Sequence, residues 1–229
     1  MFKKVIFSSG IGKLHLVEAA TKLSKESTTN VILYTSWVPG RVAWKVIELL
    51  GFDQLRKRLS PRVEAKKSLD KVVSFLLPEL LYHMILKRIF SPDYALGVAF
   101  KLHGFLSAFH AFFECGEGDI LHVRSGAGFF LITIAKLKKS IVFVDHSIAN
   151  PEWFDRLLKG IPKEYMMEGI LDKDTLLWKQ VTKDCLSADA LIVNSDFVKK
   201  TFSTKIYRDN VFVNYLGIDT YNYVSDFSP

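Results

Sequence analysis

Residues 119–144, DILHVRSGAGFFLITIAKLKKSIVFV, decide the fold class. Two apolar runs rich in β-branched residues, 119–123 and 141–144, flank a glycine-bearing turn and a helical pattern that ends at about Leu137. Runs without polar alternation are typical of strands buried on both faces of a parallel sheet. The stretch therefore predicts a strand-helix-strand unit with a right-handed crossover.

The same alternation of strand and helix patterns continues on both sides of this unit. Strand-like runs occur upstream at 4–8 and 31–35, and downstream at 190–194 and 211–214, with helical patterns between them. Strands that alternate with helices predict an α/β fold with a doubly wound, mostly parallel, Rossmann-like sheet. We expect one such domain over residues 1–219.

The region 52–113 departs from that alternation and is predicted to be a helical insertion without a strand. Its helical pattern is broken at three prolines, Pro61, Pro78 and Pro92. Within it, residues 94–113 come nearest to a membrane span, but a lysine and two histidines interrupt the apolar run. We interpret this run as a buried or half-buried helix.

Positive charge is concentrated in one segment. The 229-residue chain carries a formal net charge of +7, and residues 54–90 hold nine Lys or Arg against three carboxylates, so they supply +6 of it. Such a segment favours an anionic partner. Because residues 72–90 also place apolar side chains at helical spacing, they indicate either an ordinary inserted helix or apposition to an anionic membrane. No nucleic-acid recognition motif is found.

Cysteine usage and the amino terminus indicate a cytoplasmic protein. Cys115 and Cys185 form no C-x-x-C pair, so the sequence predicts neither a disulfide framework nor a zinc site. The apolar run at residues 5–7 is too short for a secretory signal peptide. We predict a cytoplasmic location, with peripheral attachment at the inner face of the membrane if the basic segment binds lipid.

Three motifs with specific functions are approached but not matched. The loop 10–12 resembles a dinucleotide fingerprint, but its third glycine position is occupied by His15. A P-loop interpretation fails because Leu14 replaces the hydroxyl residue that binds magnesium. Around Ser125, the positions that a nucleophile elbow requires as glycine hold other residues.

Polar residues follow four predicted strands, at 8–12, 124–126, 145–147 and 194–196. Because parallel strands present their carboxyl ends at one edge of a sheet, we expect a crevice rich in donors for a phosphate or a sugar hydroxyl. The candidate binding residues are Gly10, Gly12, Lys13, Arg124, Gly126 and Ser195. His146, which follows a buried strand, is the candidate functional histidine, although a capping or core role remains the alternative.

Five features together carry a family resemblance: the Gly10-x-Gly12 loop, DILHV at 119–123, His146, SADALIVNS at 187–195 and NYLGID at 214–219. In this order and spacing the chain resembles the N-terminal, acceptor-binding half of a GT-B glycosyltransferase of family 4 (group 1). The resemblance implies retaining transfer from a nucleoside diphosphate sugar, with no metal or other cofactor. It also implies a donor-binding domain after residue 219, with 220–229 as the start of a linker.

The resemblance assigns roles by position. Gly10 and Gly12 would approach the donor phosphate or the acceptor, His146 would hydrogen-bond a sugar hydroxyl near the reacting centre, and Ser195 would line the cleft. Lys13 and Arg124 would add positive charge. The acceptor would be a glycan or a lipid-linked glycan. Two alternatives stay open: a non-catalytic acceptor- or membrane-binding subunit of a split transferase, and a flavodoxin-like nucleotide-binding module.

Overall fold

Seven parallel strands form one sheet in the computed structural model, which describes residues 4–12, 15–160, 174–202 and 210–215. The strand order is β3-β2-β1-β4-β5-β6-β7. The strands are β1 (Lys4–Ser8), β2 (Asn30–Ser36), β3 (Lys71–Phe75), β4 (Ile120–Arg124), β5 (Ile141–His146), β6 (Ala190–Val193) and β7 (Val211–Val213). Adjacent strands pair in parallel throughout.

Helices connect successive strands, as crossovers between parallel strands require. They are α1 (His15–Glu26), α2 (Arg41–Leu49), α3 (Asp53–Ser68), α4 (Leu76–Leu81), a π-helical turn (Tyr82–Leu86), α5 (Lys87–Ile89), α6 (Pro92–Glu114), α7 (Phe129–Leu137), α8 (Pro151–Lys159), α9 (Leu176–Ser187) and α10 (Asp196–Thr201).

Two apolar cores lie on opposite faces of the sheet. Because successive side chains of a strand point to opposite faces, Val5 and Phe7 pack with α1 and α3, whereas Ile6 packs with α6, α7 and α9. The strand order reverses between β1 and β4, since β2 and β3 extend to one side and β4 to β7 to the other. The predicted doubly wound α/β fold is confirmed, and its crevice opens at this reversal.

One part of the sequence prediction is wrong. Residues 52–113 are not helical throughout, because β3 forms the edge of the sheet and pairs with β2 in the register Ile32↔Lys71 to Ser36↔Phe75. The strand is short and half-exposed, and α4 begins at the next residue. Without an intervening turn signal, its apolar residues continued the helical pattern of the leucines that follow.

The long helix α6 is partly buried, as we expected for residues 94–113. Within the described residues it is the single helix that is long and apolar enough to cross a membrane, and 44% of its most apolar window is buried. It packs against α7 and α9, and the buried ring of His103 lies edge-on to Phe75 at 5.4 Å. Its contacts with α7 and α9 identify it as a packed element of this fold.

Candidate functional site

The carboxyl ends of β1, β4, β5 and β6 meet at one edge of the sheet. Ser8 pairs with Val123, Arg124 with Asp145, and His146 with Val193, so the residues that follow these strands are neighbours. The Nη1 group of Arg124 donates to the carbonyl oxygen of Ile11 at 3.0 Å and ties the β4 end to the loop after β1. The predicted convergence of strand ends at one rim is therefore observed.

A histidine and an aspartate form a pair at this rim. His15 is the first residue of α1, and its Nε2 lies 3.0 Å from Oδ1 of Asp145 at the end of β5. The two side chains are 27% and 17% exposed, so the pair is reachable from solvent. Since an ionised carboxylate only accepts, Nε2 carries the proton and donates it. The other ring nitrogen, Nδ1, then has a free lone pair and has no partner among the described residues.

Asp145 is held in its charged form by its neighbours. Burial acts to raise the pKa of this carboxyl, but the rings of His122 and His15 lower it, and the net result lies well below the usual range. His122 Nε2 lies 3.7 Å from Oδ2 of the same carboxyl group, so each carboxylate oxygen faces an imidazole ring. A carboxylate that stays ionised at neutral pH both orients His15 and stabilises a positive charge on it.

His146 lies at the same rim but is buried, with 1% of its surface exposed. Its Nε2 lies 3.3 Å from the carbonyl oxygen of Ala149, and its Nδ1 lies 2.8 Å from Oγ of Ser125. Because a carbonyl only accepts, Nε2 carries the proton and the Ser125 hydroxyl donates to Nδ1. Burial lowers the pKa of His146 to about 4, so the ring is neutral at pH 7. The catalytic role predicted for His146 stays a prediction.

The His15–Asp145 pair and His146 line a common cavity of about 90 Å³. Its polar wall includes His15, Arg124, Ser125, Asp145 and His146. Its apolar wall is formed by side chains of α6 and α9, among them Phe100, Leu177 and Trp178. The Arg124 guanidinium lies 5.1 Å above the Phe100 ring, which fixes it at the cavity. The cavity thus joins two imidazole rings, a cation and an apolar surface.

A buried carboxylate holds the turn after β4. Oδ2 of Asp184, on α9, accepts the backbone N–H groups of Gly126 and Gly128, both at 2.8 Å. A side chain at Gly128 would place its Cβ 2.6 Å from this carboxyl group, which explains the glycine. The N–H of Gly126, a predicted binding residue, is thus already used within the protein. Its role toward substrate stays a prediction.

The glycine loop after β1 is fixed by two arginines. Gly10 has φ +66°, which favours glycine, and a Cβ there would lie 3.2 Å from that of Ala127. Beside the bond from Arg124 to Ile11, Nη2 of the buried Arg62 lies 3.4 Å from the carbonyl oxygen of Gly12. The loop is preorganised, whereas contacts of Gly10 and Gly12 with a ligand stay predictions.

Ser195 has a structural role in the observed fold. Its hydroxyl accepts the N–H of Val198 at 3.3 Å and caps the amino terminus of α10. It does not line the cavity that contains His15, although it follows the neighbouring strand β6. Lys13, the remaining predicted binding residue, lies outside the described residues, as do residues 216–219 of the NYLGID segment and the predicted linker 220–229.

Sequence reasoning missed the His15–Asp145 pair. In the sequence, His15 disqualifies a dinucleotide fingerprint, and Asp145 is one of several polar residues that follow predicted strands. Their separation of 130 positions gives no local signal. His15 begins the first helix and Asp145 lies near the end of a buried strand. The sequence would indicate the pair only if the carboxyl ends of β1 and β5 were already known to lie near the point where the strand order reverses.

The fold is similar to that of several solved glycosyltransferase structures. The chain aligns with Phytolacca americana UGT2 complexed with UDP-2fluoro-glucose and pterostilbene at TM-score 0.51 and 15% identity, over 94% of this chain and 53% of that one. It aligns with TcCGT1 in complex with UDP at TM-score 0.54 and 11% identity, over 85% and 45%. The sequence matches no protein-family model and no curated protein.

A UDP-glucosyltransferase from Polygonum tinctorium, capable of glucosylating indoxyl, gives TM-score 0.51 and 14% identity, over 95% of this chain and 53% of that one. At these identities the likeness concerns the fold: the chain has the Rossmann-like α/β fold of GT-B glycosyltransferases. It spans about half the length of the solved chains it matches. Membership of family 4 stays a prediction.

Proposed function

We propose that this chain is the acceptor-binding half of a glycosyltransferase that transfers a sugar from a nucleoside diphosphate sugar to an acceptor hydroxyl. The observation that carries the proposal is the His15–Asp145 pair, at 3.0 Å, placed at the switch point of a GT-B-like sheet. The similar solved structures were determined with UDP or a UDP-sugar in two cases, which supports a nucleotide-linked donor.

In the proposed reaction, Nδ1 of His15 takes the proton from the acceptor hydroxyl as its oxygen attacks the anomeric carbon. The bond between that carbon and the diphosphate breaks, and the diphosphate leaves with the electron pair. Asp145 stabilises the imidazolium that forms. Arg124 contributes positive charge beside the reacting centre. A donor-binding half would hold the nucleotide, and no metal is required in this scheme.

The stereochemical outcome tests the base. Attack by a hydroxyl activated by His15 is a single displacement, so we expect the anomeric configuration to invert, whereas the family 4 resemblance implies retention. In the complete transferase with UDP-α-glucose, the anomeric proton coupling of the product, measured by NMR at early times, should be that of a β-glycoside. An α-glycoside would remove the base role from His15 and favour the family 4 mechanism.

The 229-residue chain alone provides a second test, namely whether the donor nucleotide is bound by another half of the transferase. Because the donor-binding contacts are proposed to lie in another half, we expect calorimetry to show little binding of UDP or GDP by the 229-residue chain. Tight binding of a free nucleotide or a flavin would favour the flavodoxin-like module instead. Acceptor binding without turnover in any assembly would favour the non-catalytic subunit of a split transferase.

The acceptor and the cellular location form the finer part of the proposal. We propose a lipid-linked acceptor, a cytoplasmic chain and peripheral attachment to the inner face of the membrane. The support is chemical: beyond the carboxyl ends of β2 and β3, exposed apolar side chains of α2 and α4 adjoin lysine and arginine residues.

A further inference from the structure

Helix α2 turns its apolar side toward solvent. Val42 and Leu49 are 79% and 86% exposed, Val46 and Leu50 are also exposed, and Ile47 is the residue that the helix buries. At 100° per residue, Val42, Val46 and Leu49 lie on one face. A helix of a soluble protein normally buries that face. The outward stripe of α2 therefore indicates a surface that is covered by something else.

Cations border this stripe and line a groove behind it. Arg41 and Lys45 adjoin the apolar face of α2, and Lys66 and Lys67 of α3 line the opposite wall of a groove of about 600 Å³. Trp44 also lines the groove, and Glu48 is the one acid among its lining residues. Among the described residues, no ion pair involves any of these four cations. The groove thus presents unpaired positive charge beside exposed apolar side chains.

A second apolar surface continues from α4 to α5. Its exposed side chains include Leu76, Leu77, Leu80, Met84, Ile85 and Ile89, and they are followed or flanked by Lys87 and Arg88. The two surfaces are linked through Glu79, which accepts the N–H of Trp37 at 3.1 Å in the segment that leads to α2. Both surfaces follow the carboxyl ends of β2 and of its edge neighbour β3, on the rim where His15 lies.

Not all of the predicted basic segment is available for a partner. Glu79, which is buried, accepts from Arg58 at 2.7 Å and from Arg62 at 2.8 Å. These two arginines therefore serve the fold, and Arg62 has no access to solvent. Within the described residues, the cations of this segment that form no ion pair and remain for an outside anion are Lys57, Lys66, Lys67, Lys87 and Arg88; Arg41 and Lys45 of α2, outside the segment, add to them.

We propose that α2, together with the α4–α5 surface, docks on an anionic phospholipid bilayer, with lipid phosphates in the groove between α2 and α3. Apolar stripes that insert at the interface while adjoining Lys and Arg engage acidic headgroups are the pattern of interfacial helices. Charge complementarity selects the anionic bilayer among the possible occupants. The inference rests on the proposed function in one respect: a bilayer at this rim brings a lipid-linked acceptor next to His15.

Vesicle co-sedimentation of the 229-residue chain tests the docking. We expect binding to vesicles of phosphatidylcholine with about a third phosphatidylserine, and binding weaker by about tenfold or more to pure phosphatidylcholine. Raising the salt should weaken the first interaction, because exposed charges are screened. Equal binding to both vesicles, or none to either, would overturn the proposal.

Matched substitutions locate the surface. Leu49→Asp should weaken binding to the anionic vesicles about tenfold or more, because the exposed side chain no longer enters the interface. Leu137→Asp, at a 74% exposed position of α7, is the control and should change little. Lys66→Gln and Lys67→Gln should each cost about fivefold on anionic vesicles and nothing on neutral ones. An equal effect of Leu49→Asp and Leu137→Asp would exclude α2.

The docking proposal and the glycosyltransferase proposal can be contradicted independently of each other. If the complete transferase glycosylates a soluble acceptor but Leu49→Asp leaves vesicle binding intact, the surface is assigned wrongly and the enzyme proposal stands. If vesicles bind through α2 but no donor yields a product, docking stands and the transferase does not. Capture of a protein partner through Leu49 by a chain that ignores vesicles would also contradict the bilayer.

Discussion

His15→Ala in the complete transferase is expected to reduce kcat by about 10²- to 10⁴-fold, the usual contribution of a positioned general base. The reason is geometric. Asp145 Oδ1 lies 3.0 Å from Nε2 of His15 and accepts its N–H hydrogen bond, which leaves Nδ1 as the proton acceptor at the cavity. The side chain is part-buried and lies at the first turn of α1, so its removal should not change the fold. Steady-state kinetics with a nucleotide sugar and an unchanged unfolding temperature measure the effect.

Two further variants separate catalysis from positioning. His15→Gln keeps an N–H that can donate to Asp145 but has no basic nitrogen, so it should be as slow as His15→Ala; rescue by glutamine would mean that His15 only positions its neighbours. His146→Ala tests the role predicted from sequence. If it lowers turnover at unchanged stability while His15→Ala does not, the catalytic histidine is His146.

The parts of the fold that sequence could predict are those whose signal is local. The run 141–144 lies in an interior strand of the parallel sheet, with Val142 and Val144 fully buried, and its β-branched residues alone identify β5. The sequence does not reveal β3 because an edge strand of five residues pairs on one side only, is half-exposed and continues directly into α4. Its identity as a strand comes from pairing with β2, which is a property of the tertiary structure.

In the candidate site, too, some features have a local sequence signal and others depend on tertiary packing. Sequence placed the strand ends at one rim, since parallel strands share a direction, and it therefore found Arg124 and the neighbourhood of His146. Which side chain is buried and which is open depends on packing: His146 is enclosed beside Phe202 at 5.4 Å, while His15 remains partly exposed. Asp184 gave no signal, because its backbone partners lie 56 and 58 positions away.

Asp184→Ala is expected to lower the free energy of unfolding by about 2–6 kcal/mol, since two buried N–H groups lose their acceptor and each unsatisfied group costs about 1–3 kcal/mol. Both N–H groups bond the same carboxyl oxygen, Oδ2, so the turn that carries Ser125 depends on this one atom. Asp184→Asn is the matched control, because an amide oxygen can accept both bonds. Urea unfolding at about pH 5, where stability is read from the midpoint, compares the three proteins. Equal loss in alanine and asparagine variants would show that the shape of the side chain, and not the acceptor, matters.

The pH dependence gives the same carboxyl a second, independent test. Burial raises the pKa of Asp184 from 3.8 to about 7, although the N–H groups of Gly128 and Gly126 oppose the shift. Between about pH 4 and pH 7 the folded chain therefore binds a proton that the unfolded chain releases, and stability must fall as pH rises, by up to about 1.4 kcal/mol per pH unit. Oδ1 can carry that proton while Oδ2 keeps both hydrogen bonds, so the neutral form loses no contact. Asp184→Asn cannot ionise, and its stability should lack this decline, so it should gain on the wild type as pH increases to about 8. Parallel pH profiles of the two proteins would mean that Asp184 is ionised throughout and that its two N–H bonds outweigh burial.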